Sequence, residues 1–263
     1  MLKNPKKILL IAAHDSAGIS GISADVRTCY AHHIYPIPTI TALTTQDTHN
    51  VYNISAVATE ILLRQIDISI KEFKPSVVKI GLVTDGHTLV KIIEKLSSHK
   101  LDFILWDPVI NASTGKNFLQ QTTEEFSKIV KNHLSRISMI TPNLNEALAL
   151  FTSTTVTINP KNLLMLMKAA KVKYPVLTGG HIDDGKFVID RMLINNKVIE
   201  VKKQKINTQN LRSTGCTFST AVACLVAKGL NVPHAFESAS MFVNNSIRNN
   251  FKPGTGKGMV WQL

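Results

Sequence analysis

Ile8-Leu9-Leu10-Ile11-Ala12-Ala13-His14-Asp15-Ser16-Ala17-Gly18-Ile19-Ser20-Gly21 opens on six apolar residues and ends in a polar loop with two glycines. Six residues are too few to cross a bilayer, which takes about 20. They suit a strand covered on both faces of a sheet, where the apolar run is continuous rather than alternating. Helical periodicity follows at 22–33, so the stretch reads as the first half of a βα unit. The same alternation continues outward. Further buried strands are expected at 37–43, 77–80, 103–106, 138–141 and 176–178, with helices at 59–73, 88–98, 123–134, 163–172, 217–228 and 235–249. The exception is 187–194 and 198–206, two strand-like runs around Asn195-Asn196. Asparagine tolerates positive φ, so these runs predict a hairpin. The expected architecture is α/β: three αβα layers, a mostly parallel sheet and a short antiparallel hairpin edge. With no linker-like tract or repeat, residues 1–263 are expected to form a single domain.

Of the 263 residues, 44% are hydrophobic and 18% charged, which is ordinary for a globular protein with a sizeable core. Positive charge in Lys3, Lys6 and Lys7 precedes the first apolar run. That run is short and meets His14-Asp15, so a buried strand is expected rather than an export signal, and the expected compartment is cytoplasmic. Three cysteines, Cys29, Cys216 and Cys224, form no CxxC pair and are expected to be reduced thiols. The net charge of +12 is scattered, without the interleaved arginines and aromatics of a nucleic-acid module. It suits an anionic small-molecule ligand.

Chemistry-bearing residues recur at predicted strand ends. Arg212-Ser213-Thr214-Gly215-Cys216-Thr217 precedes a helix expected to begin at Thr217. Free N–H groups at a helix N-terminus bind anions, and the dipole there is expected to lower the Cys216 thiol pKa. An ordinary N-cap explains the segment equally well. Thr141-Pro142-Asn143-Leu144-Asn145-Glu146 has Asn and Glu three apart, as in a capping box; the alternative is that both help hold phosphates and a divalent cation. His14 to Gly21, Asp85, Asp107-Pro108 and Thr178-Gly179-Gly180-His181 lie at other strand ends. In open α/β sheets ligands bind beyond the carboxyl ends of the strands, so this co-occurrence points to one site.

The order of these segments resembles the ribokinase-like superfamily, above all the hydroxymethylpyrimidine/phosphomethylpyrimidine kinases of thiamin synthesis. The resemblance is carried by Ala12 to Asp25, Thr41-Ala42-Leu43-Thr44-Thr45-Gln46-Asp47-Thr48, Lys79-Ile80-Gly81-Leu82, Asp107-Pro108-Val109, Thr141 to Glu146, Thr178 to His181 and Ser213 to Ser219. It implies an ATP- and Mg²⁺-dependent phosphotransferase, a homodimer or larger. Asp15, Gln46 and Gly18 would face the pyrimidine, and Leu82 and Val109 would wall it. Asn143, Glu146, Thr178, Gly180 and Thr217 would line the nucleotide site, with Asp107 and Glu146 toward the metal. Ser213, Thr214, Gly215 and Cys216 would form the catalytic anion hole, with Cys216 as general base. The chain departs from the family pattern at Thr178, where a lysine is usual, at Ser213 for the first glycine of that hole, and at Ala17-Gly18-Ile19. Lys116, in Ser113-Thr114-Gly115-Lys116, or Arg212 would then supply the missing cation. Two other functions stay open: a pyridoxal-type kinase, and a pyrimidine-binding homologue with weakened catalysis.

Overall fold

The computed structural model describes residues 4–112, 115–152, 159–182 and 185–262. Ser113 and Thr114 lie outside them. Among the described residues the strands join in one sheet, ordered β3-β2-β1-β4-β5-β6-β7-β8-β9. β1 (Lys7–Asp15) lies between β2 (Tyr35–Gln46) and β4 (Val77–Ile80), parallel to both. β5 (Phe103–Trp106), β6 (Met139–Ile140) and β7 (Tyr174–Leu177) continue in parallel. The expected hairpin is present: β8 (Phe187–Ile194) and β9 (Lys197–Gln204) run antiparallel beside β7, and both turn asparagines have positive φ.

Alternation within the central strands builds two cores. Leu9 and Ile11 of β1 face one cluster, with α2 (Thr59–Phe73), α3 (Gly86–Ser97), α4 (Thr123–Lys131), α5 (Leu144–Phe151) and α6 (Pro160–Ala169). Ile8 and Leu10 face the other, with α1 (Gly21–Ala31), α7 (Thr214–Ala227) and α8 (Val232–Arg248). The αβα layering expected from the sequence is therefore observed. It also fixes the location of a crevice. The chain leaves β1 for a helix on one face and β4 for a helix on the other, so the space beyond these neighbouring strands opens at a topological switch point.

Several elements differ from expectation: α6 and α8 each begin three residues before the expected Leu163 and Ala235, at Pro160 and Val232, because proline suits the first helical turn. β3 (Val51–Ala56) pairs antiparallel with β2 and forms a second antiparallel edge. Most of its residues are solvent-exposed, so it lacks the apolar run that marks the central strands. α7 begins at Thr214 rather than Thr217, because Ser213 supplies a left-handed N-cap residue at φ 68° and ψ 9°.

Candidate active site

The earlier start of α7 makes Thr214, Gly215 and Cys216 its first turn. No side chain caps that turn. Its N–H groups are the kind that helices leave unpaired and that anions seek. Gly215 is exposed, and a β-carbon built on it would lie 3.9 Å from Asp107 Oδ2, so the turn stands directly over that carboxylate. Thr217 is displaced from the expected role: at the fourth helical position it faces inward, fully buried, and its Oγ1 accepts a 2.8 Å hydrogen bond from Gln262 Nε2.

Beneath the turn lies a charge cluster that the sequence did not assign. Lys79, wholly buried, donates to both oxygens of wholly buried Asp25 at 2.8 and 3.0 Å. Thr220 Oγ1 adds a 2.7 Å hydrogen bond to Asp25. The spacing explains the assembly. Gly21 and Asp25 lie one turn apart on α1, as Cys216 and Thr220 do on α7, so two packed helices each present a pair of residues four apart. The Gly21 backbone hydrogen-bonds the Cys216 thiol. A side chain on Gly21 would put its β-carbon 2.3 Å from the Ala13 carbonyl, so only glycine admits this approach. The signal was present in the sequence, since a lysine within Val77-Val78-Lys79-Ile80 cannot be buried without a partner.

The Cys216 thiol does not behave as its helix position suggested. Burial pushes it up to about 12; Lys79 and the Gly21 hydrogen bond oppose this, and the Asp25 and Asp107 carboxylates reinforce it. At neutral pH the unliganded thiol keeps its proton. Lys79 stays charged: burial works against its ammonium, but the Asp25 and Asp107 carboxylates hold it above its ordinary value.

Asp107 directly follows β5 in a buried position. Ser219 Oγ donates to it at 3.0 Å and Thr141 Oγ1 at 3.4 Å. Burial raises its pKa, with Lys79 the main opposing influence. Asn143 and Glu146 form the anticipated capping box at the start of α5. Asn143 Oδ1 accepts from the Glu146 N–H at 3.0 Å, and Glu146 Oε2 accepts from the Asn143 N–H at 2.9 Å. Burial, then repulsion from Asp107, pushes Glu146 up to about 8. Among the described residues no cluster of three or more His, Cys, Asp or Glu side chains makes a metal cage. The donor chemistry nonetheless fits Mg²⁺, which takes one or two carboxylates and completes its shell with phosphate and water. Two mutually repelling, poorly solvated carboxylates are also a pair that a cation relieves.

On the other side of the crevice, Asp15 organises the first loop. Its carboxylate accepts from the Ala17 N–H, the Ser20 N–H and the Ser20 hydroxyl at 2.7–2.8 Å. Gly18 turns that loop at φ 68°, and its carbonyl accepts from Arg27 Nη1 at 2.6 Å. Leu82 packs in an apolar cluster with Ala13, Ala42, Val51 and Phe118, and Val109 lies against that cluster, so the two expected wall residues belong to one apolar patch. Gln46 ends β2 close by and is half-buried.

The region around Thr178 is self-contained. Its N–H and Oγ1 both donate to the Pro142 carbonyl, at 3.0 and 3.4 Å, and Gly180 is exposed at the following turn. Both substitute cations are engaged within the protein. Lys116 Nζ is held by the Val51 and Tyr52 carbonyls at 3.1 and 2.7 Å, and Arg212 is bound to Gln46 and Asp47. A separate cavity of about 690 Å³, lined by residues including His32, Lys202 and Phe242, lies on the α8 and β9 side, apart from these residues.

A family model described as phosphomethylpyrimidine kinase matches residues 15–261. The hydroxymethylpyrimidine/phosphomethylpyrimidine kinase of Bacillus subtilis is 29% identical over 254 residues, spanning 96% of this chain and 93% of that one. Among solved structures, a phosphomethylpyrimidine kinase from Clostridium difficile 630 superposes with a TM-score of 0.77 at 26% identity, covering 92% of this chain and 99% of its own. The pyridoxal kinase of Staphylococcus aureus, in complex with AMP-PCP, gives 0.88 at 20% identity, covering 99% and 94%, a likeness of fold. Because the family match runs from Asp15 to Trp261 and takes in Gln46, Asp107, Glu146 and Cys216 together, the chain belongs to the phosphomethylpyrimidine kinase family.

Proposed function

We propose that this protein transfers the γ-phosphoryl group of ATP to the hydroxymethyl oxygen of 4-amino-5-hydroxymethyl-2-methylpyrimidine, and then to its monophosphate. The observation that carries this is the uncapped first turn of α7 over Asp107, with Arg212 just before it bound to Gln46. The backbone of Ser213, Thr214, Gly215 and Cys216 would cradle the transferring group, whose charge spreads over its oxygens in a loose transition state. Leu82 and Val109 would hold the flat ring, with Gln46 at its polar edge and the loop built on Asp15 and Gly18 closing one side. Asn143, Thr178 and Gly180 would border the nucleotide. Mg²⁺, held by Asp107, Glu146 and phosphate oxygens, would neutralise charge on the transferring group and, by screening Asp107, ease ionisation of Cys216. Cys216, its own proton released to solvent, would then take the hydroxymethyl proton on Sγ as the oxygen attacks, with Lys79 and the Gly21 N–H favouring the thiolate.

The same proposal treats 1–263 as one cytoplasmic kinase domain, supported by the single sheet through β1–β9 and the absence among the described residues of any helix long and apolar enough to cross a membrane. Homodimerisation belongs to it as well; the open edge of β3, with Tyr52 exposed on it and Leu43 exposed on the neighbouring β2, is the supporting feature.

The test is incubation with ATP and Mg²⁺ and each of hydroxymethylpyrimidine, its monophosphate and pyridoxal, with products identified by mass and Cys216→Ala run in parallel. Phosphorylated pyrimidines, lost in the variant, are expected. Turnover of pyridoxal alone would replace the substrate, and binding without turnover would make Thr178 and Ser213 the marks of a weakened homologue.

A further inference from the structure

Arg212 is a buried cation beside two of the expected substrate residues, Gln46 and Asp15, and its position is fixed from several directions. Its backbone N–H donates to the Gly258 carbonyl at 3.3 Å, and its own carbonyl accepts from the Val260 N–H at 3.2 Å. Nη1 donates to the Asp47 carbonyl at 3.0 Å, and Nη2 donates to Gln46 Oε1 at 2.9 Å, while lying 4.0 Å from Asp15. Only 6% of the residue is exposed. Swinging toward a phosphate would break these side-chain contacts and take the cation away from the Asp15 carboxylate.

A guanidinium has donors and no acceptor, so the Gln46 atom facing it must be the oxygen. The rest of the chain of hydrogen bonds has the same direction. Gln46 Nε2 donates to Thr44 Oγ1 at 2.9 Å, and Thr44 Oγ1 donates to the His14 carbonyl at 3.0 Å. Bonds aligned head to tail polarise one another. The positive charge on its oxygen makes the amide a poorer acceptor and its remaining N–H a better donor.

We infer that Arg212 is a positioning residue for substrate specificity, fixing Gln46 as a hydrogen-bond donor that reads a ring nitrogen rather than an exocyclic amino group. This rests on the pyrimidine kinase function proposed above.

The experiment compares kcat and KM for hydroxymethylpyrimidine with those for two pyridine analogues, each having one ring nitrogen replaced by C–H, in the wild type, Gln46→Glu and Arg212→Met. Circular dichroism and thermal melting check each fold. In the wild type one analogue is expected to lose about fivefold to tenfold in kcat/KM, mainly through KM, the scale of a single neutral hydrogen bond. Gln46→Glu keeps a partner for Arg212 but has no donor, so it should lose at least as much on the pyrimidine itself. Arg212→Met frees the amide to turn, and the wild-type preference for the pyrimidine over that analogue should shrink. Undiminished or improved use of the pyrimidine by Gln46→Glu overturns the inference, as does full discrimination by a folded Arg212→Met. If Arg212→Met does not fold, Gln46→Glu alone decides. A wild type that does not phosphorylate the pyrimidine overturns the proposed function and this inference together, whereas normal turnover with unaltered ratios overturns only the inference.

Discussion

Ser213 sits where the chain must turn left-handed to present the first turn of α7, at φ 68°. A β-carbon costs about 1–2 kcal/mol there, and glycine avoids that cost. Ser213→Gly is expected to stabilise the protein by about 1 kcal/mol, allowing for the long 3.4 Å hydrogen bond from Gln262 Nε2 that is lost with the hydroxyl. A melting temperature about 2–4 °C higher would register it; an unchanged or lower one would show that the serine is held by more than its backbone. Lys79 lies at the other extreme. Its ammonium has Asp25 as its carboxylate partner and no exposed surface, so Lys79→Met leaves a buried carboxylate and should cost about 3–5 kcal/mol in urea unfolding. Adding Asp25→Asn removes that charge and should recover a large part of the loss. A double variant as unstable as the sum of the two singles would show that the ion pair contributes nothing beyond its packing.

α5 and α7 begin in opposite ways, and both beginnings serve the site. α7 leaves its first turn uncapped; α5 closes its own with Asn143 and Glu146. The cap explains the Asn and Glu spacing read in the sequence, and it also holds the Glu146 carboxylate in the half-buried place where its pKa rises to about 8. A carboxyl with a folded pKa above its unfolded one binds its proton more tightly when folded. The stability it brings is therefore complete below about 4.5 and declines as pH rises through about 8. Glu146→Gln, which keeps an oxygen to accept from the Asn143 N–H, should make the metal-free protein more stable than wild type at pH 8 by about 2 kcal/mol, less than the full shift implies because water still reaches the group. The two should converge near pH 4. Urea midpoints across that range would decide it, and parallel curves would mean that the carboxyl has the same pKa folded and unfolded.

Element boundaries also show where the sequence was informative. The strand at 8–13 and the hairpin at Asn195-Asn196 were legible because continuous apolar runs and positive-φ residues have few other uses. β3 was not, because an exposed edge strand lacks the pattern that burial imposes. The start of α7 was three residues late because nothing in a serine's identity announces a left-handed backbone. The candidate site residues were legible as strand ends, but their partners were not. That Arg212 would bind Gln46, or Lys79 meet Asp25, depends on contacts across 166 and 54 residues that no local spacing encodes.

At the scale of the molecule, the end of the chain returns to lock its beginning. Gln262 accepts from Arg27 Nε at 2.8 Å and donates to Thr217 at 2.8 Å, joining α1 to the start of α7. Arg27 in turn holds the carbonyls of Gly18 and Ile19 in the first loop. Trp261 stands in this clasp, edge-on to Phe251 at 5.0 Å between ring centroids. Trp106 is buried in the core on the opposite face of the sheet. The two tryptophans thus report the clasp over the site and the distant core separately. Because both cores share one sheet and neither helical layer can keep its apolar face covered without it, the molecule is expected to unfold as one unit. Single-tryptophan variants, Trp106→Phe and Trp261→Phe, allow this to be tested without comparing their absolute stabilities. Within each variant the fluorescence transition in urea should coincide with the loss of far-ultraviolet circular dichroism. A Trp261 signal that moves at lower urea than the circular dichroism of the same variant would mean that the C-terminal clasp opens first. The first turn of α7 and the first loop would then be a cooperative unit of their own, and the candidate site would form only after the sheet beneath it.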